Sequence, residues 1–530
     1  MDSARWAFLV TGASDQEASD RLEALAPALR RLGTWKVIDR PESRLIHAAT
    51  VAKSQGLSPI HLALGLPQAT FLTPAVPTIL APVWDYPDVP SRSFQFDVRQ
   101  NWTRLARLAA YLIAPTATQA RVFIRAELGC PVAHVPTPAR EIDFELPAWN
   151  PDHKYTLHCR HVILGATPTL KSGTKARSTW VPPVLGEILP PTLKRRAWNQ
   201  IRHAFHAISP YYGDDARIRN MKIRKNALRL IGRNPTLAKL PRHEASIVGT
   251  ARHFGKLGFN RMLRPVLSEH ALGKIAGVKG RVKRLLGRPV PQVVVPEIPR
   301  SDLHLTGLVY TTIANPSDPK ANPRDLITSF FMAFGSRADV TLVLLFSTPE
   351  ERGFELTHHM TSFAASLGIQ PKCRIAVICE PLNDQQKSEL LQATTFVVTA
   401  ALAQAEPTFL RRALAGGRLA VGPDHGGLGE LLDTRNAFIV ESHSEPTFWP
   451  HDPERKHETS WSRPVWSELK IAFQQSASLA ETTPLAYGEL AKSAREKVAK
   501  VASVDACVAA LEHVLQSIPI AQEPRFAWAG

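Results

Sequence analysis

Short apolar runs alternate with amphipathic stretches over the first 150 residues of the chain. Residues 6–13 (WAFLVTGA) and 34–39 (TWKVID) are compact apolar runs of the kind found in buried strands. Between them, residues 16–33 repeat apolar positions at helical spacing, and the same alternation continues to the end of this region. Strands that alternate with helices favour a parallel sheet covered by helices on both faces. We therefore predict a Rossmann-like domain over residues 1–150.

The alternation resumes at residue 301 and indicates a second domain of the same kind. The run VTLVLLF at 340–346 is typical of a fully buried strand and lies between two helical patterns. We predict a second Rossmann-like domain over 301–505, followed by a closing helix and tail over 506–530. Because ligands of open parallel sheets bind beyond the carboxyl ends of the strands, two such domains are expected to face a common cleft. The predicted fold class is α/β.

The segment between the two domains, residues 151–300, is strongly basic. It holds 29 Lys and Arg against 7 Asp and Glu, although the whole chain has a net charge of only +17. Two stretches place apolar residues at helical spacing among these basic side chains. These apolar residues are Trp198, Ile201, Phe205 and Ile208, and then Ile275, Val278, Val282 and Leu286. We predict a basic, largely helical insertion.

Three roles of this insertion remain open from the sequence. It can be a solvated addition packed on the body, or it can bind an anionic membrane surface through residues 194–288, as basic amphipathic helices do. A third role is nucleic-acid binding. The basic residues are not interleaved with stackable aromatic residues in any repeating way, which argues against nucleic acid.

Composition places the chain among soluble globular proteins. It is 44% hydrophobic and 21% charged, and no apolar run approaches the roughly 20 residues that span a bilayer. The first residues do not resemble a secretory signal, and the five cysteines are scattered, which argues against a disulfide framework. We expect a cytoplasmic protein, with peripheral attachment to the inner face of the cell membrane as an alternative.

Three local features are assigned to structure and not to chemistry. VTGAS at 10–14 is similar to a dinucleotide-binding turn but lacks the further glycines that such a turn needs. His153, His158, Cys159 and His161 form a cluster of potential metal ligands, but alternation along a strand would place His158 and Cys159 on opposite faces, which argues against a metal site. We therefore expect no metal. His61 lies in an apolar run and is predicted to be a core histidine.

Several stretches of the second domain, taken in chain order, resemble the donor-binding half of GT-B glycosyltransferases, especially bacterial members of the retaining family 4 (glycosyltransferase group 1) type. They are VYTTIANPSDPKANPRDLITSF (309–330), EPLNDQQKSELLQATTFVVTAA (380–401), RRALAGGRLAVGPDHGGLGELL (411–432) and ESHSEPTFWPHDPERK (441–456). The resemblance covers most of 301–470 and, more loosely, 1–150. It implies a nucleoside-diphosphate-sugar as co-substrate and no other cofactor. No Asp-x-Asp triplet occurs, which argues against the metal-dependent GT-A class.

The resemblance implies donor-binding roles for five residues. Loss of a diphosphate requires cations and backbone N–H groups aimed at the phosphates. Lys320 occupies the position of a phosphate-binding cation, although the second basic residue that the family places beside it is missing, and Asn322 follows. Gly426 and Gly427 allow the backbone to approach phosphate, and Glu430 completes the Gly-Gly-x-x-Glu turn.

The two glutamates of the family motif are both replaced. Gln404 lies at the position of the sugar-binding glutamate and Arg412 at that of the ribose-binding glutamate. Glu406 is the candidate for restoring the lost carboxylate, and Arg412 can instead supply the missing cation beside Lys320. In the first domain, Asp85 ends a strand at the expected cleft and is the candidate acceptor-binding or proton-transfer residue. Asp85 and Glu406 are thus the candidate catalytic pair.

Two functions follow from these residues. The leading hypothesis is transfer of a sugar from a nucleoside diphosphate to a glycan or lipid-linked acceptor, with retention of configuration. The alternative is a GT-B protein whose donor site has degenerated, and which binds a glycan or a partner subunit. Neither the donor sugar nor the acceptor can be identified from the sequence.

Overall fold

A computed structural model describes most of the chain outside the basic insertion. The described residues are 6–13, 16–91, 100–165, 298–313, 318–346, 357, 360–369, 371–449, 452 and 457–518. The candidate membrane-binding segment 194–288 lies outside them. None of the helices in the described part of the chain combines the length and apolarity needed to cross a membrane.

The first domain is built on a six-stranded sheet in the order β2-β1-β3-β4-β5-β6, in which every described pairing is parallel. Its strands are β1 (Trp6–Thr11), β2 (Gly33–Val37), β3 (Ser58–Ala63), β4 (Thr78–Leu80), β5 (Tyr111–Ala114) and β6 (Val132–His134). Its helices are α1 (Gln16–Leu32), α2 (Pro41–Ser54), α3 (Trp102–Leu105), α4 (Ala117–Arg125) and α5 (Glu141–Phe144). The predicted Rossmann-like alternation is confirmed.

The second domain contains an eight-stranded sheet in the order β14-β13-β12-β9-β10-β11-β7-β8. Its strands are β7 (Tyr155–Gly165), β8 (Arg300–Leu305), β9 (Leu308–Ile313), β10 (Val340–Leu345), β11 (Arg374–Ile378), β12 (Phe396–Val398), β13 (Leu419–Gly422) and β14 (Ala437–Ile439). The strands from β9 to β14 pair in parallel, while β7 and β8 are antiparallel additions. A second Rossmann-like domain is therefore confirmed.

Strand β7 lies in the range that the sequence assigned to the insertion. Most of the basic residues that defined the insertion come after β7. The boundary at residue 151, which was drawn from the charge, therefore lies ahead of a strand that belongs to the second sheet. The buried carboxylate of Glu380 holds this added edge in place. It accepts a hydrogen bond from the backbone N of Arg160 at 2.9 Å and one from Nη2 of Arg300 at 2.9 Å.

Most helices of the second half of the chain pack against the second sheet, whereas the last one returns to the first domain. They are α6 (Pro323–Phe334), α7 (Asp384–Ala393), α8 (Thr408–Ala415), α9 (Leu428–Leu431), α10 (Trp466–Thr482), α11 (Pro484–Val501) and α12 (Val504–Ser517). Helix α12 packs its buried face, including Cys507 and Leu511, into the core that contains β1 and α1. The closing helix predicted from residue 506 therefore begins at Val504 and belongs to the first core.

A hairpin of β15 (Ser442–Phe448) and β16 (Glu458–Pro464) forms a second connection between the domains. Directly after β15, the buried ring of Trp449 packs among aromatic residues of the first domain, with its centroid 5.5 Å from that of Trp84. Nε1 of Trp449 also donates to Oδ1 of Asp88 at 3.2 Å. The two domains are therefore joined by core packing as well as by polar contacts.

Candidate functional site

Asp85 and Lys320 meet where the two domains touch. Asp85 follows β4, and Lys320 lies in a single turn, Pro319–Ala321, ahead of α6. The ammonium of Lys320 donates a hydrogen bond to Oδ2 of Asp85 and lies 3.6 Å from Oδ2 of Asp318. The other oxygen of Asp85 accepts from the backbone N of Ala405 at 2.7 Å. The structure thus joins one predicted catalytic residue to one predicted phosphate ligand.

The charge of Lys320 is strongly stabilised in this position. Burial disfavours the ammonium, but the carboxylates of Asp85 and Asp318 outweigh burial and raise the pKa of Lys320 above its ordinary value. The hydroxyl of Tyr86 is buried close to this group, without a hydrogen-bond partner among the described residues. Lys320 is therefore a cation at neutral pH whose present counter-ions are carboxylates of the protein itself.

Asn322 has a structural role in the described conformation. Its backbone is left-handed, with φ of 47°, and it directly precedes Pro323 at the start of α6. Nδ2 of Asn322 donates to Oδ2 of Asp325 at 3.0 Å, and the residue is buried. Asn tolerates this backbone region better than most residues, which accounts for its presence at the turn.

The two glycines before α9 permit a close contact between two loops. Gly426 is left-handed, with φ of 57°, and the N–H of Gly427 donates to the carbonyl of Gln404 at 2.9 Å. A Cβ on Gly427 would lie 2.0 Å from the carbonyl oxygen of Ala405. One of the two N–H groups predicted to bind phosphate is therefore already used within the protein, while Gly426 is exposed to solvent.

Glu430 and Gln404 border the same loop contact. A carboxylate oxygen of Glu430 accepts from the backbone N of Thr118 at 2.7 Å, so it caps the first turn of α4 in the other domain. A carboxylate is favourable there because the first N–H groups of a helix lack internal partners. The side chain of Gln404 is half-buried and makes no hydrogen bond within the described part of the chain.

Glu406 does not point toward Lys320. Its carboxylate is 3.0 Å from Nε of Arg21 on α1 and 3.5 Å from Nη2 of Arg411 on α8, and all three side chains are buried. The described residues provide no shared partner for Glu406 and Lys320. The proposed rescue of the donor site by Glu406 therefore lacks a direct contact in this conformation.

Arg412 is also directed away from Lys320. Its Nε donates to Oδ1 of the buried Asp143 at 3.0 Å, and Nη1 lies 3.6 Å from Asp384 at the start of α7. Arg140 bridges the same two carboxylates, at 3.4 Å from Asp143 and 2.7 Å from Asp384. Burial disfavours the charge of Arg140, but these two carboxylates outweigh it and raise its pKa. Arg412 thus takes part in an ionic contact between the domains.

The predicted site residues therefore divide into three groups. Six of them lie on the loop that contains Gln404 and Ala405 or on the segments next to it. These six are Asp85, Lys320, Gln404, Gly426, Gly427 and Glu430. Glu406 and Arg412 belong to a separate ionic network, while Asn322 holds the turn before α6.

Most residues of the ionic network carry no recognisable signal in the sequence. Arg21, Arg140 and Asp143 contact positions that lie more than 200 residues later in the chain, and no local pattern marks such pairs. The doublet Arg411 and Arg412 was visible as two adjacent cations on a short helix. This pair of adjacent arginines is the sequence feature that could have pointed to the ionic network.

Two structural assignments from the sequence can be compared with the fold. His61 is fully buried and bonds to Thr11 at 2.8 Å and Thr78 at 3.1 Å, which confirms a core histidine. Burial lowers the pKa of His61 to about 4. On β7, His158 pairs with Asp302 on the exposed face while Cys159 is buried. No group of three potential metal ligands occurs among the residues that the structure describes.

Comparison with known proteins gives similarity at the level of solved structures only. No protein-family model matches the chain, and no curated protein matches it. A glycosyltransferase from Rickettsia africae ESF-5 has a TM-score of 0.46 and 9% identity, covering 97% of this chain and 98% of that one. Anabaena Alr3699/HepE in complex with UDP and glucose has a TM-score of 0.45 and 11% identity, covering 97% and 100%. Sucrose-phosphate synthase from Thermosynechococcus elongatus has a TM-score of 0.42 and 11% identity, covering 97% and 98%. Because all these TM-scores are below 0.5, we draw no functional argument from them.

Proposed function

We propose that this chain is a glycosyltransferase that takes a sugar from a nucleoside diphosphate. The observation that supports it is the convergence of Lys320, Asp85 and the Gly426–Gly427 turn on one loop, from three distant parts of the chain. A cation, a backbone N–H at an exposed glycine turn and a carboxylate are the groups that diphosphate loss and acceptor activation require.

Each group has a definite role under this proposal. Lys320 binds the diphosphate and stabilises its negative charge as the bond to the sugar breaks. The amide of Gln404, unengaged in the described structure, binds a sugar hydroxyl, since an amide can both donate and accept. Asp85 exchanges its bond with Lys320 for one with the acceptor hydroxyl and assists proton transfer. The family resemblance implies retention of configuration.

A second candidate function is a protein of this fold that no longer transfers sugar. The observation that favours it is the buried contact of Arg412 with Asp143, because the residue at the ribose position is committed to the contact between domains. Such a protein would bind a glycan or a partner subunit without turning over a donor.

A donor panel separates the two candidates. We expect the full chain to hydrolyse or transfer at least one of UDP-, GDP-, ADP- or dTDP-linked sugars, and the matching diphosphate to raise its unfolding temperature. Lys320→Met should weaken diphosphate binding by roughly 10- to 150-fold, the value of one charged hydrogen bond, and Lys320→Arg should retain most of it. Lys492→Met, on an exposed face of α11, is the control and should bind normally.

Two outcomes contradict the proposal. If no donor of the panel is turned over and no diphosphate stabilises the chain, the second candidate, a protein of this fold that no longer transfers sugar, is the better account. Equal diphosphate binding by wild type and Lys320→Met shows that the phosphates bind elsewhere.

For the acceptor we propose a glycan or lipid-linked glycan presented at an anionic membrane surface. The support is the excess of basic residues in 194–288, which is a property of the sequence alone. The full chain should sediment with vesicles containing about 30% phosphatidylglycerol, and salt should release it because the attraction is electrostatic. Equal sedimentation with neutral vesicles, or tighter binding to duplex DNA than to anionic vesicles, contradicts this attachment.

A further inference from the structure

Both carboxylate oxygens of Asp85 are bound by hydrogen-bond donors of the second domain. Oδ2 accepts from the ammonium of Lys320, and Oδ1 accepts from the backbone N of Ala405 at 2.7 Å. An ammonium and a backbone N–H on one anion make strong, charge-assisted bonds, and under the proposed function Lys320 binds a phosphate. In the described conformation, a carboxylate of the first domain therefore lies where that phosphate is expected.

The two hydrogen-bond donors are held in position without Asp85. The backbone N of Lys320 donates to the side chain of Asp318 at 3.0 Å, and the carbonyl of Lys320 accepts from the N–H of Leu402 at 2.8 Å. The loop that carries Ala405 is thereby fixed to the turn of Lys320 by bonds within the second domain. The pair formed by the ammonium of Lys320 and the N–H of Ala405 is thus built by the second domain, and Asp85 is its present ligand.

The first domain also engages another residue of the predicted donor site. The carboxylate of Glu430 accepts from the backbone N of Thr118 at 2.7 Å. The family resemblance implies that Lys320 and Glu430 both bind the sugar nucleotide. In the described conformation, the first domain therefore occupies groups that the sugar nucleotide would use.

The contact between Asp85 and Lys320 is not needed to join the two domains. Trp449 and helix α12 both pack into cores of the first domain. A buried ion pair between Arg21 and Glu406, at 3.0 Å, adds a further link. Release of Asp85 from Lys320 therefore leaves the domains connected.

We propose that Asp85 is an internal competitor of the diphosphate, and that it occupies the Lys320 and Ala405 pair until a sugar nucleotide displaces it. This inference rests on the proposed function and adds a regulation of the same site. The side chains of Asp85 and Lys320 are only 16% and 21% exposed, so their attraction is less screened than that of a surface ion pair. A ligand that binds only the released state has its apparent affinity reduced by the fraction of the chain in that state.

Binding of inorganic pyrophosphate to the full chain tests the competition, with titration calorimetry in about 0.15 M sodium chloride as the measurement. Only binding that Lys320→Met abolishes is counted, which excludes binding to the basic insertion. Asp85→Asn keeps the shape and removes the charge, so pyrophosphate should bind about tenfold more tightly than to the wild type. Asp39→Asn makes the same change at an exposed residue of the first domain and should bind as the wild type does.

The gain in affinity should depend on Lys320. In the double variant that combines Asp85→Asn with Lys320→Met the gain should vanish, because carboxylate and pyrophosphate use the same ammonium. Crystals of the wild type with pyrophosphate provide a second test, which does not depend on the folding of a variant. A phosphate oxygen should replace the carboxylate of Asp85 within hydrogen-bond distance of Nζ of Lys320 and the backbone N of Ala405.

The outcomes separate this inference from the proposed function. If Lys320→Met loses pyrophosphate binding but Asp85→Asn binds no more tightly than the wild type, the competition is refuted and the proposed donor site stands. A pyrophosphate complex in which Asp85 still contacts Lys320 also refutes the competition. If neither the wild type nor Asp85→Asn shows binding that depends on Lys320, the proposed function loses its phosphate site together with this inference.

Discussion

Restoring the family's glutamate at position 412 is expected to damage the protein and not to activate it. Arg412 donates to Asp143 at 3.0 Å, and the side chain of Asp143 is only 1% exposed. Arg412→Glu removes this partner and places a second carboxylate beside Asp143. Since removing one partner of a buried ion pair costs about 3–5 kcal/mol, we expect the free energy of unfolding to fall by at least about 3 kcal/mol.

Two further variants isolate the cause. Arg412→Met removes the pair without adding a like charge, and Arg140 still contacts Asp143 at 3.4 Å, so this loss should be smaller. Asp143→Asn in the Arg412→Glu background removes the repulsion and should recover part of the stability. Arg435→Glu makes the same charge change at a side chain that is 74% exposed, and should cost much less stability than Arg412→Glu.

Stability is measured by urea unfolding of the full chain, with the first transition in tryptophan fluorescence as the readout. Nucleotide binding is measured by the stabilisation that added nucleoside diphosphates give in the same assay. We expect Arg412→Glu to unfold at lower urea than Arg435→Glu and to gain no nucleotide binding. A variant that keeps wild-type stability and binds a nucleoside diphosphate more tightly refutes the reasoning. It would show that position 412 still faces an open ribose site.

Three other predictions concern the stability of the fold. Gly427→Ala should lose about 1–3 kcal/mol in urea unfolding, because its Cβ would be 2.0 Å from the carbonyl of Ala405, whereas Gly488→Ala, which meets nothing within 4 Å, should not destabilise. Arg418→Met should lose about 2–4 kcal/mol in the same assay, since this fully buried side chain donates to the carbonyls of Leu391, Gly416 and Pro147, each at 2.9 Å. His61 should make stability depend on acid pH: burial lowers its pKa to about 4 from an ordinary 6.5, so about 3 kcal/mol present above pH 6.5 is lost as the pH falls toward 4. Urea unfolding at several pH values should show a smaller decrease for His61→Gln, and an equal decrease contradicts the assignment.

The features that could be predicted from the sequence are those that depend on local periodicity. Apolar runs identified the central strands, and the position of Asp85 at the end of one of them placed it at the expected cleft. The donor-binding roles of Lys320 and of the Gly426–Gly427 turn came from the family resemblance and not from periodicity. Strand β7 was assigned to the insertion, since net charge averaged over a long segment conceals one strand at its start.

The ionic network could not be predicted for a physical reason. Arg21 pairs with Glu406, and Asp143 pairs with Arg412, across sequence separations that no spacing rule describes. A buried cation looks in sequence like any surface arginine. Only the neighbouring side chains in the fold show which carboxylates compensate its charge.

The charge at position 412 can be understood from its neighbours. A glutamate there would bring its carboxylate close to Asp143 and Asp384, with Arg140 as their shared cation. An arginine supplies the second cation, and in doing so it binds the domains together at the position where the family resemblance implies a ribose. The contacts around Lys320 leave more room for a ligand, because the side chain of Gln404 has no hydrogen-bond partner among the described residues and Gly426 is exposed. We therefore expect diphosphate binding to depend on Lys320 and to be insensitive to Arg412→Met, whereas stability should depend on both. Under the proposed function, the replaced glutamate indicates a changed ribose contact, and substitutions at Lys320, Asp85 and Gln404 are the ones expected to change activity.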